Sequence, residues 1–279
     1  MLELVRGMLE IVIELIESLP LLRHASGIVH KISEGMRVHP LRRVWGIKDG
    51  EEVTIICSEL EDPLERQRVE PREFIYLLKY GDLDAFIETV ITLLRLYPSV
   101  KLRISSAGEV IGAQNNLGTH LVVIGGPDYN RVANHIINEI NYQDQANQPQ
   151  FTYINRHEQI ALYHRITGNE YYWMQDERGA DGDTEYDYGY FERIPNPYNR
   201  SKWTILIGGC HTIGVTGAVK AFSFPFDENR LPQRVAKNAS LVSKKIRKAK
   251  SFAVLVQVQR VGQIIFAPEI IDGNVFVRE

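Results

Sequence analysis

The chain has 279 residues, 44% of them hydrophobic, and a net charge of −3. That length can bury a sizeable core, in one large domain or two tightly joined ones, and the near-neutral balance gives no global pull toward nucleic acid or an anionic membrane. The only two cysteines, Cys57 and Cys210, lie far apart, which argues against a disulfide framework and for a reducing, cytoplasmic setting.

Residues 1–40 read as an N-terminal helical segment. The stretch 2–19 is apolar, but Glu3, Arg6, Glu10, Glu14 and Glu17 interrupt it. Each charge at mid-bilayer would cost roughly 2.5–3.5 kcal/mol, so a membrane span is not expected. A basic start and an unbroken apolar core are both missing, which also argues against a signal peptide. The pattern predicts a helix of about five turns. Glu3, Glu10, Glu14 and Glu17 share one face, and the wide apolar remainder needs cover. That cover comes from its own domain, or from a second copy or a partner protein.

Residues 41–279 read as a Rossmann-like α/β domain. The expected architecture is a mostly parallel central sheet flanked by helices, with an antiparallel, aromatic-rich insert at about 151–200. Residues 43–57 suggest strand, Asp-Gly turn, strand. The charged stretch 58–72 reads as a surface loop. Leu83, Phe86, Ile87, Val90, Leu93, Leu94 and Tyr97 recur at helical spacing, with Asp82 as N-cap and Pro98 as stop. A strand is expected at 100–105. The run 119–126 is apolar without alternation, as in a strand buried on both faces, and a helix follows at 128–140. Short aromatic, β-leaning pieces fill 151–194. The strand–helix pattern returns at 203–209 and 212–222, and a long strand follows at 252–259 with a partner at 263–266.

Two turns share one design: LVVIGGPDYN at 121–130 and TILIGGCHTIG at 204–214. Each is an apolar strand, two glycines and a helix start. Ligands of open parallel sheets sit outside the carboxyl ends of strands, where glycine permits close approach and the helix presents free N–H groups. The candidate ligand-binding set is therefore Gly125, Gly126, Asn130, Gly208, Gly209, His211, Thr212 and Thr216. Asp128 beside Pro127 would repel a phosphate and suits sugar hydroxyls, so 125–130 is expected to face a sugar. The second turn has no acid in its first helical turn, so 208–216 is expected to face an anion. There is no GxxxxGK[ST] and no GxGxxG.

Over 121–140 and 204–222 the pattern resembles the Rossmann-like nucleotide-sensing domains of the lysine-decarboxylase-like group and its sensor relatives, the SLOG superfamily. In the enzymes of that group a Gly-Gly-x-Gly-Thr turn precedes a glutamate that cleaves an N-glycosidic bond. Here Gly208-Gly209-Cys210-His211-Thr212-Ile213-Gly214-Val215-Thr216 is followed by no acid until Asp227. The resemblance therefore implies binding of a nucleotide or nucleotide-derived phosphate ligand, as in a sensor, more than hydrolysis. The alternatives are a nucleotide-processing hydrolase or N-glycosidase using Asp128, Asp187, Glu192 or His211, and an interaction subunit without a ligand.

Other features point to weaker chemistries. Asp181, Asp183, Glu185, Asp187 and Glu192 partly match a calcium loop, but Tyr186 stands where glycine is required. The aromatic residues between Tyr163 and Trp203 could stack on a base or on one another. The basic stretch 244–250 reads as a solvated face. HEQIA at 157–161 lacks the second histidine of a zinc motif. Cys210 beside His211 could form a nucleophile pair. No cofactor and no metal are expected.

Overall fold

The computed structural model describes residues 38–59, 82–112, 117–156, 159–176, 184–225, 230–262 and 264–279. The expected N-terminal helix, the charged loop after Glu59 and the acidic residues Asp181 and Asp183 lie outside the described residues. In chain order the elements begin with α1 (38–45), β1 (Glu52–Cys57), α2 (Leu83–Leu96), β2 (Lys101–Ser106), α3 (Ala107–Gly112) and β3 (His120–Ile124). Next come α4 (Arg131–Asn134), β4 (Phe151–Arg156), β5 (Gln159–His164), β6 (Glu170–Tyr172), β7 (Met174–Asp176), β8 (Thr184–Asn196) and β9 (Asn199–Gly209). The chain ends with α5 (Thr212–Lys220), α6 (Gln233–Lys245), β10 (Ser251–Val261), β11 (Ile264–Ile265) and β12 (Val275–Arg278).

The unbroken apolar run of β3 is buried along its whole length. A strand of that kind needs neighbours on both edges and layers on both faces. β3 has both: it pairs in parallel with β1 on one side and β9 on the other, and β2 extends the parallel core beyond β1. Past β9 the sheet changes direction. β9 follows β8 through a tight turn and pairs with it antiparallel, and β10 pairs antiparallel with β8. The order is β11-β10-β8-β9-β3-β1-β2, with β12 on β10 and β7 on β8.

The chain is thus a mixed α/β fold whose sheet has a parallel core and flanking helices. Trp45, Phe86, Leu93, Val215 and Phe222, from the helical layer, cover Ile55, Ile124, Ile207 and Val254 on one face. On the other face Val110, Val132, Ile136, Phe151 and Leu162 cover Ile56, Leu121, Val123, Leu206 and Leu255. The aromatic stretch divides between two sheets. β4, β5 and β6 form a separate antiparallel sheet, whereas 184–196 is a central strand. The rings pack on one another between the layers: Phe151 stacks on Tyr190 with centroids 5.1 Å apart, and Tyr171 meets Tyr188 at 5.3 Å. No helix among the described residues is long and apolar enough to cross a membrane.

Two local expectations are corrected. Residues 43–45 end a helix rather than start a strand, because tertiary contacts fix them. The Trp45 indole donates to the Phe222 carbonyl (3.0 Å), and Arg193 Nη1 donates to the carbonyls of Arg43 (2.6 Å) and Val44 (2.9 Å). The helix expected at 128–140 is a short α4 that widens into a π-helical turn at His135–Glu139.

α5 lies backbone-to-backbone on the sheet. A Cβ on Gly189 would fall 2.0 Å from the Gly214 carbonyl oxygen, and one on Gly214 would fall 2.3 Å from that of Tyr188. A Cβ on Gly209 would meet the Val215 nitrogen at 2.5 Å. No rotamer change relieves contacts with backbone, so Gly209 is a packing glycine. Gly209→Val is expected to destabilise the fold by about 3 kcal/mol or more. A urea midpoint equal to that of the native chain would contradict this packing.

Candidate functional site

From β1 the chain passes through α2 to β2 on one side, then returns past β1 to β3 on the other. α2 packs on one face of the sheet and α4 on the opposite face. The carboxyl ends of β1 and β3 are therefore neighbours at a topological switch point, the kind of place where ligands of open parallel sheets bind; here Asn130 Nδ2 bridges the Ile56 and Ile124 carbonyls, and the Glu59 N–H donates to the Tyr129 carbonyl at 2.8 Å. Ser58 follows β1 there, Gly125 follows β3, and Asp82 precedes α2.

These residues touch. Ser58 Oγ donates to Asp82 Oδ2 at 2.8 Å, and the Thr212 hydroxyl, from the start of α5, bonds the same carboxylate. Gly125 has φ +99°, and a Cβ there would lie 2.4 Å from Ser58 Oγ and 2.8 Å from Asp82 Oδ2. Only glycine fits both the left-handed backbone and the space. Asp82 itself sits in the left-handed region (φ 52°, ψ 41°), the one non-glycine to do so among the described residues. Such a conformation costs of order 1–3 kcal/mol and persists only where surroundings impose it. Its side chain makes no cap bond to α2, contrary to the N-cap expectation; only its carbonyl accepts, from the Phe86 N–H (3.0 Å). Burial raises the Asp82 carboxyl above the usual carboxylate range, and the Ser58 and Thr212 hydroxyls oppose that rise.

The helix end expected to face a ligand anion is already filled. Asp187 Oδ2 accepts from the N–H groups of His211 (3.0 Å) and Gly214 (2.6 Å), and its Oδ1 accepts from the Tyr188 N–H (2.8 Å). The antiparallel pairing of β8 with β9 delivers this carboxylate, since Gly189 pairs with Gly209 and Asp187 lies just beyond. Burial pushes its carboxyl up to about 6, while the three N–H donors pull the other way. Gly208 and Gly126 make room for Tyr153 of β4: a Cβ on Gly208 would fall 2.2 Å from the phenol oxygen, and one on Gly126 would be 3.3 Å from the ring.

The other candidate residues scatter. Asn130 is buried and structural. Its Oδ1 accepts from Val132 N and Ala133 N (both 3.1 Å), and its Nδ2 donates to the carbonyls of Ile124 (2.9 Å) and Ile56 (3.3 Å). Asp128 is exposed on the turn before α4. His211 is exposed, edge-on to Trp173 at 5.8 Å. Thr216 is buried between α5 and α2. Glu192 lies five residues along β8 from Asp187, roughly 17 Å away by strand rise, and accepts from Gln150 N (2.6 Å) and Phe151 N (3.4 Å). Asp128, Asp187, Glu192 and His211 therefore form no joint acid–base cluster. Burial pushes the Cys210 thiol up to about 12, and its Sγ donates to the Tyr171 carbonyl, so it is no activated nucleophile. Among the described residues no group of three or more histidine, cysteine, aspartate or glutamate side chains could hold a metal. In the basic stretch, Lys245 pairs with Asp272 at 3.0 Å. Ser58 and Asp82 were missed by sequence reasoning, because no regular motif surrounds either. No family model, curated protein or solved structure matches the chain.

Asp187→Ala would leave three amides without their acceptor and is expected to cost at least about 2 kcal/mol in urea unfolding, with Asp187→Asn recovering part of it. A second expectation concerns pH. Burial lifts the Glu192 carboxyl from 4.5 to about 7, against two backbone donors and the charges of Arg278 and Arg165. The folded chain therefore keeps a proton that the unfolded chain releases, and Glu192's contribution to stability falls as pH rises from about 4.5 to 7. Thermal unfolding of Glu192→Gln should lose that part of the decline. An unchanged pH slope would show that Glu192 is ionised throughout.

Proposed function

We propose that the chain binds a nucleotide or nucleotide-derived small molecule at the switch point between β1 and β3, as a sensor does. The ligand's sugar hydroxyls lie on Asp82 and its phosphates lie away from α5. The observation that carries this reading is the Asp82 cluster. A strained acid, two hydroxyl partners and an obligatory glycine converge at the switch point, where ligands of Rossmann-like sheets bind. A carboxylate has lone pairs beyond those used by Ser58 and Thr212, and it suits a diol. The resemblance of the two Gly-Gly turns to nucleotide-sensing domains supports the same ligand class. The capping of α5 by Asp187 moves the phosphate away from that helix, and the sugar end becomes the recognised one.

A thermal-shift panel of ribonucleosides, ribonucleotides and NAD, followed by calorimetry on any hit, tests the reading. A hydrogen bond to a charged group is worth about 1.5–3 kcal/mol, so Asp82→Asn should weaken binding about 10- to 150-fold. The 2′- or 3′-deoxy form of the ligand should be weakened comparably. Binding that ignores both changes would refute the assignment, as would the absence of any ribose-bearing ligand. One observation favours a second reading: the raised carboxyl of Asp82 could protonate a leaving base. Base release from NAD or a nucleoside, followed by chromatography and lost in Asp82→Asn, would establish a hydrolase instead.

A further inference from the structure

A second cavity lies toward the amino ends of the central strands. Leu117 precedes β3, Tyr198 precedes β9, and the π-helical turn His135–Glu139 ends the segment that runs back from β3. The cavity between them measures about 480 Å³, within the roughly 300–1,000 Å³ of small-molecule sites. Neither Ser58 nor Gly125 lines it, so it is separate from the switch point.

The π turn assembles the polar side of this cavity. The Ile140 N–H donates to the His135 carbonyl five residues back (3.0 Å), and the wider turn brings the side chains of Asn134, His135 and Glu139 together. Asn134 Nδ2 donates to Glu139 Oε1, and His135 Nδ1 donates to Glu139 Oε2, both at 2.7 Å. Asn134 is held in turn: Asn138 Nδ2 donates to its Oδ1 (2.9 Å), and the Thr152 hydroxyl of β4 donates to Asn138 Oδ1 (3.1 Å). A chain of hydrogen bonds from the small sheet thus fixes the carboxylate. A carboxylate only accepts, so the neutral imidazole keeps its proton on Nδ1 and presents a lone pair at Nε2. Nε2 bonds no described residue, and the His135 side chain is 44% exposed, so this acceptor is open to a ligand.

The chemistry of that ligand follows from the walls. Nε2 requires a hydrogen-bond donor. Among the described lining residues the charges of Arg131 and Glu139 balance, so neither a cation nor an anion is selected. Ile111, Leu117 and Val132 supply an apolar wall. The Tyr198 ring, inclined 19° to the imidazole with centroids 6.2 Å apart, supplies a flat one. We propose that this cavity binds a neutral phenol of two or more fused rings. Its hydroxyl donates to His135 Nε2, and its rings lie on Tyr198 and Ile111.

Calorimetric titration of the full chain with 2-naphthol, 2-methoxynaphthalene and 2-naphthoate at about pH 8, where an ordinary imidazole is neutral, tests this. 2-Naphthol is expected to bind about 2- to 10-fold more tightly than the methyl ether, which cannot donate. His135→Phe keeps a ring beside Tyr198 but removes Nε2, and should abolish that preference. Glu139→Gln should narrow it, because an amide can donate to Nδ1 and move the imidazole proton to Nε2; a merely structural role for Glu139 would leave the preference unchanged. Ile111→Ser, at an exposed position, should weaken both ligands equally. Circular dichroism melting confirms that each variant is folded. The proposal fails if 2-naphthol does not bind, or if His135→Phe retains the preference for it. It fails equally if 2-naphthoate binds more tightly than 2-naphthol, since the cavity would then select anions.

Discussion

Strand β8 carries three charged side chains into the interior within seven residues: Asp187, Glu192 and Arg193. Burying a charge is costly unless polar groups surround it. Each of the three is met by the backbone of a different element. Asp187 takes the first-turn amides of α5, Glu192 takes the amides that start the small sheet, and Arg193 takes the carbonyls that end α1. The Arg193 guanidinium also lies 4.7 Å from the Trp203 ring and 4.8 Å from that of Phe252, and burial draws its pKa down to about 10. The antiparallel strand thus fastens layers on both faces of the sheet to its centre, and it can do so only because its register with β9 and β10 is fixed.

That fastening decides where chemistry is possible. A helix N-terminus that follows a Gly-Gly turn ordinarily invites a phosphate. Here the negative charge is covalently part of the chain, and the glycines beneath it admit the backbone of α5 and the ring of Tyr153. At the switch point one strand further, between β1 and β3, the space beside Gly125 is taken by Ser58 and Asp82. Its acid is held by hydroxyls rather than by a helix end, which suits recognition of hydroxyl groups.

Much of the fold was legible in the sequence, and the reasons are specific. The apolar runs of β3 and β9 announced strands buried on both faces, and the periodicity of 83–97 announced α2. The site was only partly legible. Gly125 and Thr212 do join the Asp82 cluster, but Asn130 splices α4 to β1 and β3, and Gly208 and Gly209 serve packing. Asp187 read as one acid of a partial calcium loop, because its partners are backbone amides 24 and 27 residues away. Asp82 read as a helix cap, since nothing local indicates that its side chain turns back to Ser58. The end of α1 was misread because long-range bonds to Phe222 and Arg193, rather than local propensity, hold it.

The claim that α5 is closed by the chain's own carboxylate can be tested by amide NMR of the full chain. The His211 and Gly214 amide resonances should stay in place as inorganic phosphate is added, and should move with pH around a midpoint of about 6 as Asp187 titrates. A saturable shift of those two amides with phosphate, and none with pH, would mean that the helix end is open and that the account built on Asp187 is wrong.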